Sequence, residues 1–278
     1  MMNNQIKKDA VVGHPINHSK SPAIHQCFAD EFGLNIMYEK IDINPEHFVD
    51  KIHVLRNQNY LGLNITLPFK ADAFAMCDEV TATSRMTGSV NTLTFIDGKI
   101  YGDTTDGIGI VRDLDAKKIV IKDSHLAILG AGGASNGVMF DIINAGPKSI
   151  TLANRTKTKA DDMVNKWDSF AKGNGVELRV IELHAFDVRG YDLVINGTSS
   201  ALIDGSSPIA DHLFQSETVY YDMTYGVETR FMLNAKNKGA QYFDGLGMLI
   251  GQAAASFSIW HKLQPNLHLA AKALEVGL

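Results

Sequence analysis

The chain has 278 residues, of which 45% are hydrophobic, enough apolar material for the cores of two ordinary domains. Its net charge of −5 and its scattered lysines and arginines argue against nucleic-acid binding, and no apolar run is long enough to span a membrane. The N-terminus carries no signal-peptide core, so we expect a cytoplasmic protein. Cys27 and Cys77 lie far apart, which excludes a disulfide framework or a zinc knuckle.

The first hundred residues alternate between strand and helix patterns. Ser21 is suited to be the N-cap of the first helix, with Pro22 at its first position and Gly33 after its last apolar residue. The dipeptide Asp97-Gly98 predicts a hairpin. The remaining patterns predict strands at 9–13, 38–43, 61–66, 91–96 and 99–101, and helices at 45–56 and 71–77.

A second strand-helix series follows a helical run at 108–114. Its first strand is 126–129, and later strands are predicted at 149–153, 178–181, 192–196 and 218–222. This rhythm is typical of a doubly wound parallel sheet with helices between the strands. A last helix at 245–261 comes after this series, and we expect it to return to the first domain.

A glycine-rich turn joins the first strand of that series to its helix. Gly130, Gly132 and Gly133 let the backbone approach a pyrophosphate, whose charge would face the N–H groups at the helix start. The spacing G-x-G-G-x-x-x-G is only related to the dinucleotide fingerprint, and a purely structural turn is the alternative.

The charge at the end of the next strand indicates which dinucleotide would bind. NAD sites carry an acid about 20 residues past the glycines, whereas no acid lies between Asp141 and Asp161 here. Arg155 could instead hold a 2′-phosphate through charge-assisted hydrogen bonds of about 1.5–3 kcal/mol. The turn therefore favours NADP, the alternative being an ordinary solvated loop.

Polar segments follow several strands of the first domain, where ligands bind in open α/β sheets. Their hydroxyl and amide side chains suit a ligand with several hydroxyl groups, although each could equally be a cap or turn residue. These residues are Ser19, Ser21, Asn64, Thr66 and Asn91.

Lys70 and Asp106 are the candidates for chemistry. A lysine beside a carboxylate can protonate the alkoxide that hydride transfer to a ketone produces. A surface lysine and a turn aspartate are the plainer reading. His14, His18 and His25 lack metal-ligand geometry, so no metal is expected.

Taken together, these segments resemble the shikimate dehydrogenase family, and the resemblance spans nearly the whole chain. It rests on Gly13-His-Pro-Ile-Asn-His-Ser-Lys-Ser-Pro22, Asn64-Ile-Thr-Leu-Pro-Phe-Lys70, Gly88-Ser-Val-Asn-Thr92, Thr105-Asp-Gly107, Gly130-Ala-Gly-Gly-Ala134, Asn154-Arg-Thr156, Asn196-Gly-Thr-Ser199, Asp222-Met223, and Asp244-Gly-Leu-Gly-Met248 with Gln252. One departure is visible: Thr104 stands where the family usually has asparagine.

The resemblance implies an NADP-dependent enzyme that reduces 3-dehydroshikimate to shikimate in aromatic amino-acid biosynthesis. Lys70 would be the acid/base and Asp106 its partner. Shikimate would be held by Ser19, Ser21, Asn64, Thr66, Asn91, Asp106, Tyr225 and Gln252. The cofactor would contact Gly130, Ala131, Gly132, Gly133, Ala134, Asn154, Arg155, Thr156 and Lys159, with Met223 and Gly245 near the nicotinamide.

The implied fold is a mixed-sheet α/β substrate domain, at 1–104 and 248–278, and a Rossmann-like NADP domain at 105–247. A monomer or homodimer is expected. Two other functions stay open: an NAD-preferring quinate/shikimate dehydrogenase, and a non-catalytic regulator that binds shikimate or NADP on the same scaffold.

Overall fold

The computed structural model describes residues 6–276 of the chain. The chain folds into two compact units. The first unit contains the chain up to Gly109 and from Leu249 onward, and the second runs from Ile110 to Met248. The sequence predicted that the first segment ends at 104, five residues before Gly109, and that the second domain ends at 247, one residue before Met248. Within the described residues, no helix combines the length and apolarity needed to cross a membrane.

The first unit is built on a mixed six-stranded sheet. Its strand order is β2-β1-β3-β5-β6-β4, in which β1 pairs in parallel with β2 and β3, while β3–β5 and β5–β6 are antiparallel. In chain order the elements are β1 (Lys7–Gly13), α1 (Ser21–Glu31), β2 (Ile36–Asp42), a 3-10 turn (Pro45–His47), α2 (Phe48–Asn57), β3 (Tyr60–Ile65), α3 (Lys70–Met76), β4 (Glu79–Val80), α4 (Ala82–Thr87), β5 (Thr92–Ile96) and β6 (Lys99–Asp103).

The hairpin at Asp97-Gly98 is confirmed. Asp97 has a φ of 50° and Gly98 one of 77°, the left-handed backbone that a two-residue hairpin between twisted strands needs. One face of the sheet carries an apolar core in which Phe48 and Phe69 stack at 4.4 Å between ring centroids. This packing fixes the end of β3 and the start of α3.

The expectation that Ser21 is the N-cap of α1 is wrong. Lys20 occupies the cap position, no side chain caps the helix, and Ser21 is its first residue. The Ser21 hydroxyl is buried and accepts a hydrogen bond from the Ser19 hydroxyl at 3.2 Å. Its side chain therefore faces the preceding polar loop rather than the free N–H groups of the helix.

The second unit is a parallel six-stranded sheet of order β12-β11-β10-β7-β8-β9, as a doubly wound fold requires. The strand order reverses between β7 and β10, so the loops after these two strands diverge and leave a crevice at their carboxyl ends. In chain order the elements are α5 (Asp106–Ala116), which begins in the first unit, β7 (His125–Leu129), α6 (Gly133–Asn144), β8 (Ser149–Asn154), α7 (Lys157–Gly173), β9 (Glu177–Glu182), a 3-10 turn (Leu183–Ala185), β10 (Leu193–Asn196), α8 (Ser200–Ile203), a 3-10 turn (Asp211–Leu213), β11 (Val219–Asp222), α9 (Arg230–Asn237) and β12 (Tyr242–Phe243).

Two C-terminal helices complete the chain, α10 (Leu246–His261) and α11 (Leu267–Val276). From Leu249 onward α10 belongs to the first unit, where Trp260 Nε1 donates to the carbonyl of Leu93 on β5 at 3.0 Å. A Cβ at Gly251 would lie 2.8 Å from the carbonyl oxygen of Gly109, so the small residue allows two backbones to meet. The helix is thereby fixed against the first sheet.

Candidate active site

Lys70 and Asp106 meet in the first unit as an ion pair. Lys70 opens α3, Asp106 opens α5, and Lys70 Nζ donates to Asp106 Oδ2 at 2.5 Å. The lysine side chain keeps 27% of its surface exposed and the aspartate side chain 11%. Such a charge-assisted hydrogen bond holds the ammonium in place and leaves its outer face able to reach a ligand.

Asn91 fixes the other carboxylate oxygen. Its Nδ2 donates to Asp106 Oδ1 at 2.8 Å and to Thr105 Oγ1 at 3.0 Å, while its Oδ1 accepts from Thr105 N at 2.9 Å. Asn91 Nδ2 also lies 3.4 Å from Gln252 Oε1 on α10. One hydrogen-bonded group therefore contains Lys70, Asp106, Asn91 and Gln252, which come from four separate stretches of the chain.

Asn64 is the last residue but one of β3 and is buried, with both ends of its amide bonded. Its Oδ1 accepts from the hydroxyl of Tyr38 at 2.7 Å, and its Nδ2 donates to Ser256 Oγ on α10 at 2.8 Å. Ser256 also exchanges a hydrogen bond of 2.8 Å with Thr92 Oγ1, and Thr92 donates to Asn91 Oδ1 at 2.8 Å. These bonds connect Asn64 with the Asn91 group.

Ser19 lies in the loop between β1 and α1, and Ser21 is the first residue of α1. Asp42 holds the start of this loop, since its Oδ1 lies 2.6 Å from His14 Nδ1 and its Oδ2 accepts weakly from Ile16 N at 3.4 Å. The hydrogen bond with His14 is the main reason why the pKa of Asp42 lies below its usual value. The carboxylate thus stays charged and keeps the loop attached to β2.

The remaining residues expected at the substrate are less well connected. Thr66 is half-buried just after β3, and its N–H donates to the carbonyl of Val12 at 2.9 Å. Tyr225 belongs to the second unit, and burial raises the pKa of its phenol. Within residues 6–276, no side-chain hydrogen bond joins Thr66 to the Asn91 group of the first unit.

In the second unit the glycine-rich turn opens onto a cavity of about 330 Å³. Gly130 has a φ of 95°, and a Cβ there would lie 3.0 Å from Thr198 Cγ2. Gly130 and Gly132 line the cavity, and α6 begins at the next residue, Gly133. The positive end of this helix and its free N–H groups suit an anion at this end of the cavity.

The same cavity is also lined by the turn after β8 and the start of α7, through Asn154, Arg155, Thr156 and Lys159. The Asn154 side chain joins the two turns, because its Oδ1 accepts from Ala131 N at 3.2 Å and its Nδ2 donates to the carbonyl of Thr156 at 2.8 Å. Two cations, a hydroxyl and a helix N-terminus together fit the diphosphate and 2′-phosphate of NADP.

Other residues expected at the cofactor lie beside this cavity or away from it. Gly133 and Ala134 form the first turn of α6 without lining the cavity. A Cβ at Gly245 would lie 2.2 Å from the carbonyl oxygen of Met223, so these two residues contact each other closely.

The loop after β10 is a part of the cavity to which the sequence analysis gave no role. Gly197, Thr198, Ser199 and Ser200 line it, and Thr198 Oγ1 donates to Asn196 Oδ1 at 2.7 Å. Two signals were available: the segment Asn196-Gly-Thr-Ser199 is part of the family resemblance, and the loop follows β10, the strand beside β7 where the strand order reverses. Among the described residues, no group of three or more histidine, cysteine or acidic side chains is placed to hold a metal ion.

Family models match most of the chain. The model of a shikimate dehydrogenase substrate binding domain matches residues 11–93, that of a shikimate / quinate 5-dehydrogenase matches 114–221, and that of a shikimate 5'-dehydrogenase C-terminal domain matches 245–275. Among curated relatives, a shikimate dehydrogenase (NADP(+)) of Methylobacillus flagellatus is 41% identical, over 92% of this chain and 94% of the relative. Another, from Colwellia psychrerythraea, is 40% identical over 96% of both chains.

Solved structures agree with these relatives. A shikimate dehydrogenase in complex with NADP+ superposes with a TM-score of 0.90 at 32% identity, covering 100% of this chain and 97% of the other. The enzyme of Thermus thermophilus, in complex with NADP(H) and shikimate, gives 0.88 at 34% identity, over 98% and 100% of the two chains. A 5-ketofructose reductase of Gluconobacter sp. gives 0.87 at 26% identity, over 99% of both chains.

Proposed function

The chain belongs to the shikimate dehydrogenase family, and from this premise we propose that it reversibly reduces 3-dehydroshikimate to shikimate with NADPH. The observation that carries the proposal is the Lys70–Asp106 ion pair, bonded through Asn91 to a set of hydroxyl and amide groups in one unit. A proton donor surrounded by such groups is what reduction of a ketone on a polyhydroxylated ring requires.

Bound NADPH supplies the hydride for this reaction. The chain supplies the proton: Lys70 Nζ gives one to the oxygen of the reduced carbonyl and takes it back in the direction of oxidation. Asp106 holds the ammonium through its Oδ2, 2.5 Å away, while Asn91 Nδ2 keeps the carboxylate from rotating. Holding both groups in advance lowers the cost of orienting the donor during the reaction.

Substrate recognition is assigned to Ser19, Ser21, Asn64, Thr66, Asn91, Asp106, Tyr225 and Gln252. The buried amides of Asn64 and Asn91 carry the strongest support, because their orientations are set by several neighbours. A site built of such fixed polar groups rejects ligands that lack the matching hydroxyls, since its own groups would then stay unpaired.

The cofactor is assigned to the cavity of the second unit. The backbone of Gly130, Ala131, Gly132, Gly133 and Ala134 would face the diphosphate, and Asn154, Arg155, Thr156 and Lys159 the 2′-phosphate. Met223 and Gly245 are assigned to the nicotinamide end. NADP is preferred to NAD because Arg155 follows the end of β8 directly and no acid occurs before Asp161.

Lys70→Ala tests the assignment of the proton donor. We expect kcat for shikimate oxidation with NADP, followed at 340 nm, to fall by roughly 10² to 10⁴, with the Kd for NADP largely unchanged. Lys99→Ala is the matched control, because Lys99 is exposed and pairs with Glu79 away from the site. Normal turnover of Lys70→Ala would remove this lysine from the mechanism.

The same assay distinguishes two other functions. Faster turnover with NAD than with NADP, and with quinate than with shikimate, would indicate the quinate/shikimate branch of the family. Binding of both ligands without any change in absorbance would indicate a regulator. A cytoplasmic location and a monomeric or homodimeric state stay predictions from the sequence.

A further inference from the structure

Tyr38, on β2, has no role in the proposed reaction, yet its hydroxyl bonds to a residue assigned to the substrate. It donates to Asn64 Oδ1 at 2.7 Å. Burial raises the pKa of Tyr38 well above its usual value. The phenol therefore keeps its proton throughout the working pH range and remains a donor.

The nearby side chain of Ser21 opposes part of the rise in the pKa of Tyr38. Ser21 Oγ in turn accepts from Ser19 Oγ at 3.2 Å. The one hydrogen bond that the Tyr38 hydroxyl makes among the described residues is therefore the donation to Asn64 on β3.

The bonds of Asn64 show which way its amide faces. One end of the amide lies 3.3 Å from the backbone carbonyl of Asn91, which can only accept, so that end is Nδ2. The other end is Oδ1 and faces Tyr38. Ser256 holds Nδ2 at 2.8 Å. Tyr38 is therefore the side-chain donor that matches the fixed orientation of Asn64.

The Tyr38 ring is itself held in place by His25, which stacks on it at 4.0 Å between centroids with an interplanar angle of 16°. Burial lowers the pKa of His25 to about 3, so the imidazole stays neutral under assay conditions. The stack accordingly does not loosen through protonation near neutral pH.

We propose that Tyr38 is a positioning residue for substrate recognition, which fixes the Asn64 amide in the orientation that shikimate requires. This inference rests on the proposed function. Tyr38 would not touch the substrate or the cofactor. Its loss should therefore raise the KM for shikimate and affect kcat and the binding of NADP little.

The test compares Tyr38→Phe with the wild type in steady-state oxidation of shikimate. We expect the KM for shikimate to rise roughly 3- to 20-fold, the range for one buried hydrogen bond, with kcat and the KM for NADP within about twofold. Tyr60→Phe is the matched control, because Tyr60 begins the same strand as Asn64 and its hydroxyl bonds only to Glu39 among the described side chains, at 3.2 Å. Thermal unfolding of both variants shows that they are folded.

A double-mutant cycle separates positioning from a general structural effect. In an Asn64→Ala background, Tyr38→Phe should raise the KM for shikimate much less than it does in the wild type, because the residue through which it acts is gone. An equal rise in both backgrounds, or an unchanged KM in Tyr38→Phe, would overturn the inference while an active wild type upholds the proposed function. A wild type inactive on shikimate would overturn both.

Discussion

Arg155→Gln should change the choice of cofactor without disturbing the fold. The arginine is exposed in the turn that follows β8, and this turn is held by the side chain of Asn154 rather than by Arg155. Charge-assisted hydrogen bonds to a phosphate contribute about 1.5–3 kcal/mol, and solvent screening at an exposed site favours the lower part of that range. We therefore expect the Kd for NADP to rise roughly 10- to 30-fold.

A neighbouring carboxylate adds to this effect. Asp204 lines the same cavity, and its pKa is lowered by hydrogen bonds from Ser206 and, to a smaller extent, by the charge of Arg155. Without the guanidinium, this carboxylate would repel a 2′-phosphate bound at the proposed position, whereas NAD carries no phosphate there. The Kd for NAD should accordingly stay within about twofold of the wild-type value. The preference for NADP over NAD should therefore fall by roughly the same 10- to 30-fold.

Isothermal titration of both cofactors measures these constants without requiring turnover. Arg179→Gln is the matched control, because Arg179 lies on β9 and pairs with Glu177 outside the cavity. An equal loss of affinity for NAD and NADP would show that Arg155 supports the turn and not the phosphate. An unchanged Kd for NADP would refute the electrostatic argument altogether.

Gly62→Ala should lower the free energy of unfolding by about 3 kcal/mol or more, because the new Cβ would lie 2.0 Å from Trp260 Nε1 and 2.4 Å from the carbonyl oxygen of Leu93. Gly173→Ala, at the end of α7 with no atom within 4 Å of the new Cβ, should be neutral or stabilising by up to about 1 kcal/mol in the same urea titration; equal losses would contradict the packing argument. The pKa of His25 is about 3 in the folded protein and lies below its unfolded value of 6.5, so the unfolded chain binds a proton first as the pH is lowered. The free energy of unfolding should therefore fall by about 2 kcal/mol between pH 6.5 and pH 5. His25→Phe should remove that part of the pH dependence, and a slope identical to that of the wild type would show that the histidine is not buried in solution.

Much of the fold follows from local patterns in the sequence. Apolar runs predicted the central strands, and Asp97-Gly98 predicted the hairpin, because each signal lies within a few residues. The strand β12, Tyr242–Phe243, is only two residues long and too short for any periodicity to reveal. The cap at Ser21 failed for a different reason: a serine at a helix start can bond either forward to the helix or back to the loop, and the neighbouring Ser19 decides this.

The two candidate sites differ in how far apart in the chain their parts lie. The cavity of the second unit joins successive βα turns, so that Asn154 reaches Ala131 across 23 positions, and a motif can represent it. In the first unit, Asn64 bonds to Ser256 across 192 positions and Asn91 to Gln252 across 161. No spacing rule links such residues, because the sheet and the returning helix α10 bring them together only once the unit has folded. The proposed recognition of hydroxyl groups would therefore depend on the complete fold of the first unit, whereas the proposed anion site would depend mainly on local backbone geometry.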